Sequence, residues 1–443
     1  MASRAERVQR FITEMGYSME EANQVVDLME SIDLRRDQGA MDAVRDVSSG
    51  DSDPGSVEDS VELEILEADR LVALGTIERL ESHYDEALRY FRSAMQIYEA
   101  TGHSGGVGVV LTHMGIVRRA LGDLHEAERF LRTSIEIHRQ TGNHESLGSA
   151  LGCLGGIARI RGELESAREL YQEAIEVYRE TGNHRLEGLE LSNLAGIERV
   201  RGRFGESIET YQEALKIHRE VGDRINEGST LGSLGTTLCI QGDLDEAIRY
   251  LHLAIEVHRE SGDRRNEGVS LDNLGGFYMQ QGLVEQAIQH FRTGLAIHTE
   301  IGERGSEGIS HGNIGDALLQ LGREEEAESS LRRAIEICHD AYPQAAGAFS
   351  GSLALICANQ GALDESKELL RVGEDLISGD RIEYAKFLSK KGRVQLIEGA
   401  VMEAKESLVQ ARDILAELKL GGRSEITKIV GKLASALAQV DVV

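Results

Sequence analysis

Glycine recurs in this chain at intervals of 40 residues, and the interval stays constant over about half of the sequence. One series consists of Gly102, Gly142, Gly182, Gly222, Gly262 and Gly302. A second series lies midway between them, at Gly122, Gly162, Gly202, Gly242, Gly282 and Gly322. A fixed period of this length is typical of stacked units, each of which buries its apolar face against its neighbours. The period therefore restricts the fold more than any other feature.

The composition indicates that these units are helical. The 443 residues include only two prolines and no tryptophan, and aromatic residues make up 4%. Scarce proline is typical of helices joined by short glycine turns. A core built mainly from Leu, Ile, Val and Ala suits helix-on-helix packing. We therefore predict an all-α fold.

Further positions repeat in register with the glycines. Small residues recur at Gly75, Gly115, Gly155, Ala195, Gly235, Gly275 and Gly315, and again at Ala87, Ala127, Ala167, Ser207, Ala247, Ala287 and Ala327. Four residues after the second set stand Phe91, Leu131, Tyr171, Tyr211, Leu251, Phe291 and Leu331. A last small set is Ala94, Ser134, Ala174, Ala214, Ala254, Gly294 and Ala334, in which Gly294 replaces alanine.

These positions resemble the tetratricopeptide repeat, in which a Leu-Gly pair on the first helix and an alanine on the second mark the helix contact. Leu154-Gly155, Leu234-Gly235 and Leu274-Gly275 match the pair. The resemblance implies a right-handed superhelical solenoid of antiparallel helix pairs, whose first helices line a concave groove that holds a peptide. The sequence ALKIHREVGDRINEGSTLGSLG resembles bacterial signalling arrays, and the 40-residue period resembles Pins-type and Leu-Gly-Asn-type scaffolds.

The period exceeds the common repeat of about 34 residues by about six. We expect the first helix of each pair to begin early and to be longer by more than one turn. In the segment from Gly222 to Gly228, the glycine suits a left-handed helix end and Asp223 can cap the next helix.

Four segments are predicted. About nine repeats occupy residues 58–420, the last two matching weakly, and a helix in residues 421–443 caps the final repeat. Residues 48–57 form a polar linker, and residues 1–47 form a module of three short helices. Within it, the stretch from Met15 to Ala22 resembles ubiquitin-associated domains, which implies a ubiquitin-like ligand. The preferred alternative is a helical cap or oligomerisation element.

Helical geometry predicts which residues face the groove. In the first helix of one repeat, Leu111, Met114, Val117 and Leu121 point toward the core, and Thr112, Ile116 and Arg119 lie opposite. The position of Arg119 recurs as Arg79, Arg159 and Arg199, and these four residues are called the arginine column. Cys239, Met279 and Leu319 follow at the same position. Guanidinium groups bind carboxylates and phosphates, so the groove is predicted to hold an acidic or phosphorylated peptide with an apolar other end. Alternatively, each arginine pairs with a nearby glutamate.

Glycines and asparagines supply the remaining groove candidates. Glycine inside a helix costs up to about 1 kcal/mol relative to alanine. It nevertheless occurs within first helices at Gly152, Gly156, Gly196, Gly232, Gly276 and Gly312. Either neighbouring helices pack closely there or a ligand backbone approaches. The predicted peptide contacts are completed by Asn193, Thr236, Asn273 and Asn313. The Lys/Asn clamp of chaperone-binding repeats is missing.

No catalytic or metal site is predicted. The histidines at 138, 218, 258 and 298 recur one repeat apart, and zinc could not join residues on the order of 10 Å apart. They are interpreted as packing residues that reach partly into solvent. The four cysteines are widely spaced and are predicted to be reduced, packed thiols. Phosphate-loop, HExxH and GxSxG motifs are absent, and no cofactor is predicted.

Charge narrows the choice of partner. The formal net charge of −28 and the pI of about 5.0 disfavour nucleic acid and anionic lipid. Neither an apolar signal-peptide core nor a run approaching roughly 20 apolar residues is present, which favours a cytoplasmic protein. We predict a non-catalytic scaffold or adaptor that binds a peptide or protein segment. The alternative is a regulatory sensor arm that binds a small anionic ligand or a modified peptide.

Overall fold

The computed structural model describes residues 57–377, 379–418 and 425–440. Within these ranges every regular element is an α-helix, which confirms the predicted all-α class. The predicted N-terminal module and nearly all of the predicted linker lie outside the described residues.

Nineteen helices are described, and they alternate between first and second members of a pair. The first helices are α1 (Val57–Leu80), α3 (Ser104–Ala120), α5 (His144–Ile160), α7 (His184–Val200), α9 (Arg224–Gln241), α11 (Arg264–Gln281), α13 (Arg304–Gln320), α15 (Pro343–Asn359) and α17 (Arg381–Ile397). The second helices are α2 (Tyr84–Ala100), α4 (Leu124–Thr141), α6 (Leu164–Thr181), α8 (Phe204–Val221), α10 (Leu244–Ser261), α12 (Val284–Ile301), α14 (Glu324–Ala341), α16 (Leu363–Ile377) and α18 (Val401–Glu417). Helix α19 (Glu425–Val440) follows the ninth pair.

The described residues divide into two compact units, a first unit that ends at Glu227 and a second unit that begins at Gly228, with the boundary inside α9. In the first unit, α1 to α8 stack as four successive helix pairs. In the second unit, the pairs from α11/α12 to α17/α18 stack in the same way. Helix α19 covers the last pair, because Ile426, Val430 and Leu433 join the cluster that contains Leu388 and Leu408.

Asparagine or aspartate and glycine define most helix ends. Gly142, Gly182 and their equivalents adopt the left-handed backbone conformation that ends a helix, with φ of 70° and 72° at these two. Asp223 Oδ1 then accepts a hydrogen bond from the backbone N–H of Asn226 at 3.2 Å. Helix α9 thus begins directly after Asp223, as predicted.

The small residues of the first helices make room for large residues of the second helices. An added Cβ at Gly75 would lie 2.6 Å from the Phe91 ring, and one at Gly275 would lie 2.6 Å from Phe291. Real Cβ atoms do not approach this closely, so larger side chains would force the two helices of a pair apart. This contact explains why a small residue recurs at the position of Gly75 and a large apolar residue at the position of Phe91.

The recurring histidines fill a second notch of this kind. An added Cβ at Gly188 would lie 2.8 Å from the His218 ring, and one at Gly268 would lie 2.6 Å from His298. Tyr178 lies in the same way on Gly148. The prediction that these histidines reach solvent is wrong, since His138, His218, His258 and His298 are at most 1% exposed. Burial lowers the pKa of His138 and of His218, which favours neutral rings.

Two residues of α3 and its turn differ from the predicted faces. Leu121 was expected in the core but is 48% exposed, because α3 ends at Ala120. Thr112 was expected on the groove side but is buried, and its hydroxyl lies 2.5 Å from Ser134 Oγ. A threonine at this position can satisfy its hydroxyl on the second helix, which draws the side chain away from solvent.

Candidate functional site

The arginine column lies in the last turns of α1, α3, α5 and α7. Arg119 extends from α3 onto α5, where its Nη1 lies 2.8 Å from the position that a Cβ of Gly156 would take. Gly156 therefore provides the space in which the guanidinium group lies. Arg159 is exposed, whereas Arg119 and Arg199 are half-buried.

Three members of the column lack the glutamate partner that the alternative interpretation required. Among the described residues of the first unit, no carboxylate forms an ion pair with Arg119, Arg159 or Arg199. The second helices behave differently, because Arg179 lies 2.7 Å from Glu213 and Arg219 lies 2.8 Å from Glu227. The positive charge on the first helices is consequently available to a ligand.

Arg79 lies in a different environment, close to His113. Burial, and secondly the charge of Arg79, lower the pKa of His113 to about 4. The imidazole is therefore neutral near pH 7, and it stacks on Phe91 with ring centroids 5.2 Å apart. The neutral His113 ring therefore adds no positive charge beside Arg79.

Glu190 on α7 is a buried carboxyl beside the arginine column. Its residue is 6% exposed, and its side chain occupies the space that a Cβ of Gly152 would need. Asn193 Nδ2 donates a hydrogen bond to Glu190 Oε2 at 3.0 Å. Burial raises the pKa of Glu190 to about 7, and the Asn193 hydrogen bond and the Arg119 charge oppose that rise.

Sequence reasoning missed Glu190, although a signal was present. The equivalent residues are Val110, Ala150, Thr230, Ser270, Ser310 and, after a shift of one residue in the eighth repeat, Phe349. Glu190 is thus the one acidic residue at this position from the second repeat to the eighth. A single acidic residue among small or apolar equivalents indicates a local function or a specific partner.

The groove glycines divide into two groups. At Gly152, Gly156 and Gly312, side chains of neighbouring first helices fill the space, those of Glu190, Arg119 and Phe349 respectively. At Gly276 no atom lies within 4 Å of an added Cβ, and at Gly232 the nearest is Ser270 Oγ at 3.8 Å. Gly196 is similar, with Tyr211 Oη at 3.5 Å. Close packing of neighbouring helices therefore explains Gly152, Gly156 and Gly312. Approach of a ligand backbone remains an explanation for Gly196, Gly232 and Gly276.

The second unit contains a cavity of about 550 Å³, called the second-unit cavity. Three predicted contact residues line it, namely Asn273, Met279 and Asn313. Within the described residues of this unit, the amides of Asn273 and Asn313 form no hydrogen bond. Thr236 and Leu319 do not line it: the Thr236 hydroxyl donates to Gly232 O at 3.0 Å, and Leu319 packs against the core.

The cavity wall is more polar than the expected apolar end of the groove. It includes four carboxylates and two ammonium groups, those of Asp272, Asp316, Asp380, Glu383, Lys386 and Lys390. The lysines are already paired, since Lys386 Nζ lies 2.7 Å from Glu383 Oε1 and Lys390 Nζ lies 3.3 Å from Asp316 Oδ2. A peptide in this cavity would meet free amides and apolar side chains together with a net negative wall.

Asp272 explains why glycine replaces alanine at Gly294. The Asp272 carboxylate accepts a hydrogen bond from Ser310 Oγ at 2.8 Å and lies 3.1 Å from His298 Nε2. Its Oδ1 lies 2.8 Å from the position that a Cβ of Gly294 would take. Burial raises the pKa of Asp272 above its usual value. Gly294 thus provides space for a buried carboxylate.

One group of three side chains in the described residues could share a metal ion. Glu78, Glu81 and His83 meet at the turn between α1 and α2. His83 Nδ1 lies 2.9 Å from Glu78 Oε2 and 3.6 Å from Glu81 Oε2. Because the imidazole is exposed and already hydrogen-bonded to a carboxylate, these contacts explain the cluster without a metal.

Burial raises the pKa of three thiols, those of Cys153, Cys338 and Cys357, which favours their protonated form. None of the four cysteines forms a disulfide, and Cys338 and Cys357 are buried. Cys153 lies near the arginine column, but burial raises the pKa of its thiol. Among the described helices, none combines the length and the apolar character needed to cross a membrane.

Comparisons with known proteins identify the repeat. The model of the MalT-like TPR region matches residues 223–418, and a tetratricopeptide repeat model matches residues 106–180. A search of curated proteins gives no significant match.

Solved structures agree with the fold. A Pyrococcus horikoshii signal transduction ATPase with numerous domains, which has a tetratricopeptide repeat sensor, is 17% identical with a TM-score of 0.58. That match covers 85% of this chain and 56% of the other, so this chain spans little more than half of that protein. Aspartyl phosphate phosphatase F from Bacillus subtilis is 13% identical with a TM-score of 0.51, covering 85% of this chain and 95% of the other. From the two family matches, the nine described helix pairs and these similar structures, we conclude that the chain belongs to the tetratricopeptide repeat family.

Proposed function

We propose that the chain is a non-catalytic scaffold or adaptor that binds an acidic segment of another protein along the arginine column. The observation that carries this proposal is that, in the described first unit, no carboxylate oxygen lies within the 4.0 Å ion-pair distance of Arg119, Arg159 or Arg199. Three guanidinium groups without an ion pair, on successive first helices, suit an extended ligand with several carboxylates or phosphates. Because the chain as a whole is acidic, this row of arginines is a local basic surface, which an acidic segment would prefer to the rest of the protein.

The second-unit cavity, taken by itself, also suits a peptide segment. Asn273 and Asn313 carry amides without hydrogen bonds in the described structure, and Gly276 beside them leaves open space. An amide can both donate to and accept from a peptide backbone. We propose that these two asparagines bind the main chain of a peptide segment.

A matched pair of variants tests the role of the arginine column. One variant carries Arg119→Gln, Arg159→Gln and Arg199→Gln. The control carries Arg139→Gln, Arg179→Gln and Arg219→Gln, which removes the same charge at the same spacing from second helices whose arginines already pair.

Peptides are first selected from a displayed random library with the unmodified chain, and their affinities are then measured by titration calorimetry. We expect acidic peptides to be enriched and to bind the first variant at least about tenfold more weakly, because each lost charged hydrogen bond is worth roughly 1.5–3 kcal/mol. The control should bind within about twofold. Equal affinity for both variants, with both folded by circular dichroism, would refute the proposal.

A sensor arm for a small anion is the second candidate, because the same guanidinium groups suit a phosphate. The Pyrococcus horikoshii protein with a similar fold is described as carrying a repeat sensor. Titration calorimetry with nucleotides and small phosphorylated metabolites separates the two functions. Tight binding of such a compound, competing with the selected peptides, would favour the sensor.

A further inference from the structure

Glu190 places a carboxyl group inside the basic site of the first unit. From the second repeat to the eighth, the other equivalent positions hold small or apolar residues, so the repeat itself does not need an acidic residue there. The side chain reaches from α7 into the notch at Gly152 on α5, where an alanine would exclude it. Among the equivalent positions of the second to the eighth repeat, Glu190 is thus the one acidic residue that fills this glycine notch.

The titratable groups around Glu190 come from three other helices. Arg119 faces it from α3, Cys153 from α5, and Tyr171 and Tyr178 from α6. Burial raises the pKa of the thiol and of both phenols, so all three are neutral near pH 7. Arg119 is therefore the charged group that Glu190 meets among the described residues of this unit.

The charge of Glu190 changes the affinity of that arginine for an anion. Ionised Glu190 cancels part of the field of Arg119 and repels an incoming carboxylate or phosphate. Protonated Glu190 leaves that field intact. By reciprocity, an anion at Arg119 favours the protonated form of Glu190 as much as protonation favours the anion.

We propose that the first unit binds its acidic ligand together with one proton, which solvent supplies and which the Glu190 carboxyl group accepts. The inference rests on the proposed function, because it concerns the regulation of the same arginine column. Since the pKa of Glu190 is raised to about 7, the coupling acts in the range of cellular pH.

The test measures binding of N-acetyl-tetraglutamate amide to the full chain by titration calorimetry at about pH 6 and about pH 8. The carboxyl groups of this peptide have pKa values of about 4.3 and stay ionised in that range, so changes report on the protein. Full coupling predicts about tenfold tighter binding at the lower pH. At about pH 8, two buffers with different ionisation enthalpies should show nearly one proton taken up per peptide.

Two variants isolate the coupling. Glu190→Gln keeps the size and the hydrogen-bonding capacity of the side chain, and it should bind with the same affinity at both pH values. Glu176→Gln is the matched control on the exposed face of α6, and it should retain the pH dependence of the unmodified chain. The proton uptake of the unmodified chain gives an answer even if Glu190→Gln does not fold.

The outcomes separate this inference from the proposed function. Binding that is lost in Arg119→Gln but does not vary with pH in the unmodified chain overturns the proton coupling alone. A pH dependence that persists in Glu190→Gln also overturns it. If the unmodified chain binds neither this peptide nor any acidic peptide at either pH, the proposed function itself is wrong, and the coupling with it.

Discussion

Replacing Gly276 and Gly312 by alanine should have opposite effects on stability. Both glycines lie inside first helices of the second unit, in α11 and α13. In either helix alanine gains up to about 1 kcal/mol of helix propensity. At Gly276 no atom lies within 4 Å of the new Cβ, so the gain remains. We expect Gly276→Ala to raise the free energy of unfolding by about 0.5–1 kcal/mol.

At Gly312 the new methyl group would overlap the ring of Phe349, which is 6% exposed. Overpacking of this kind costs typically about 1–3 kcal/mol, which exceeds the propensity gain. Gly312→Ala should therefore be destabilised by roughly 1 kcal/mol or more. Urea unfolding followed by circular dichroism gives the global effect. Hydrogen exchange of peptides from α11 and α13 gives the local effect, because repeat arrays need not unfold in one step.

The two variants also test why position 276 of α11 is a glycine. If Gly276→Ala is more stable and binds selected peptides more weakly, a ligand backbone approaches that glycine. If it is more stable and binds equally well, the open glycine has no role in binding. A loss of stability comparable to that of Gly312→Ala would refute the packing argument.

Two further substitutions test the buried carboxylates. The pKa of Glu190, about 7, lies above its ordinary value of 4.5, so its contribution to stability is complete below about pH 4.5 and is lost as the pH rises through 7. In the unmodified chain this effect should lower the free energy of unfolding by roughly 3 kcal/mol between those limits, and Glu190→Gln should remove that decrease. Urea unfolding at about pH 5 and about pH 8 measures it. If Glu190→Gln shows the same decrease as the unmodified chain, the raised pKa of Glu190 is contradicted. Gly294→Ala should be destabilised by about 1–3 kcal/mol because its Cβ meets Asp272 Oδ1. Adding Asp272→Ser, the residue found at Ser192, should recover part of that loss, and simple additivity in a double-mutant cycle would argue against the contact.

The helices and their ends could be predicted because the same signal occurs in every repeat. Each of the two glycine series marks a helix end, and the set from Gly75 to Gly315 marks the contact with a large residue on the second helix. A position that is small in seven successive repeats has a packing cause that does not depend on one particular neighbour.

The buried histidines show where this reasoning fails. Their periodic position identified them as packing residues, but their depth depends on glycines of the paired helix, such as Gly188 and Gly268. Helical periodicity gives the direction of a side chain and not the size of the notch that receives it. The same limit applies to Thr112, whose hydroxyl has its partner on the second helix.

The candidate site was only partly predictable for a related reason. The spacing placed Arg119, Arg159 and Arg199 on one face of successive helices, but it could not say whether glutamates would pair with them. That depends on side-chain conformations. Glu190 occurs once, so a comparison of repeats treats it as variation, and only the structure shows that its carboxyl group is buried.

The contact between His298 and Gly268 lies within one period of the chain, and this has a consequence for how such genes change length. A tandem duplication of residues 264–303 would carry that contact along whole. At the new junction, the extra copy of Asp272 would meet a copy of Ser270, the equivalent of its present partner Ser310. Unequal crossing-over between neighbouring repeats could therefore lengthen or shorten the array by 40 residues without leaving a buried carboxylate unpaired.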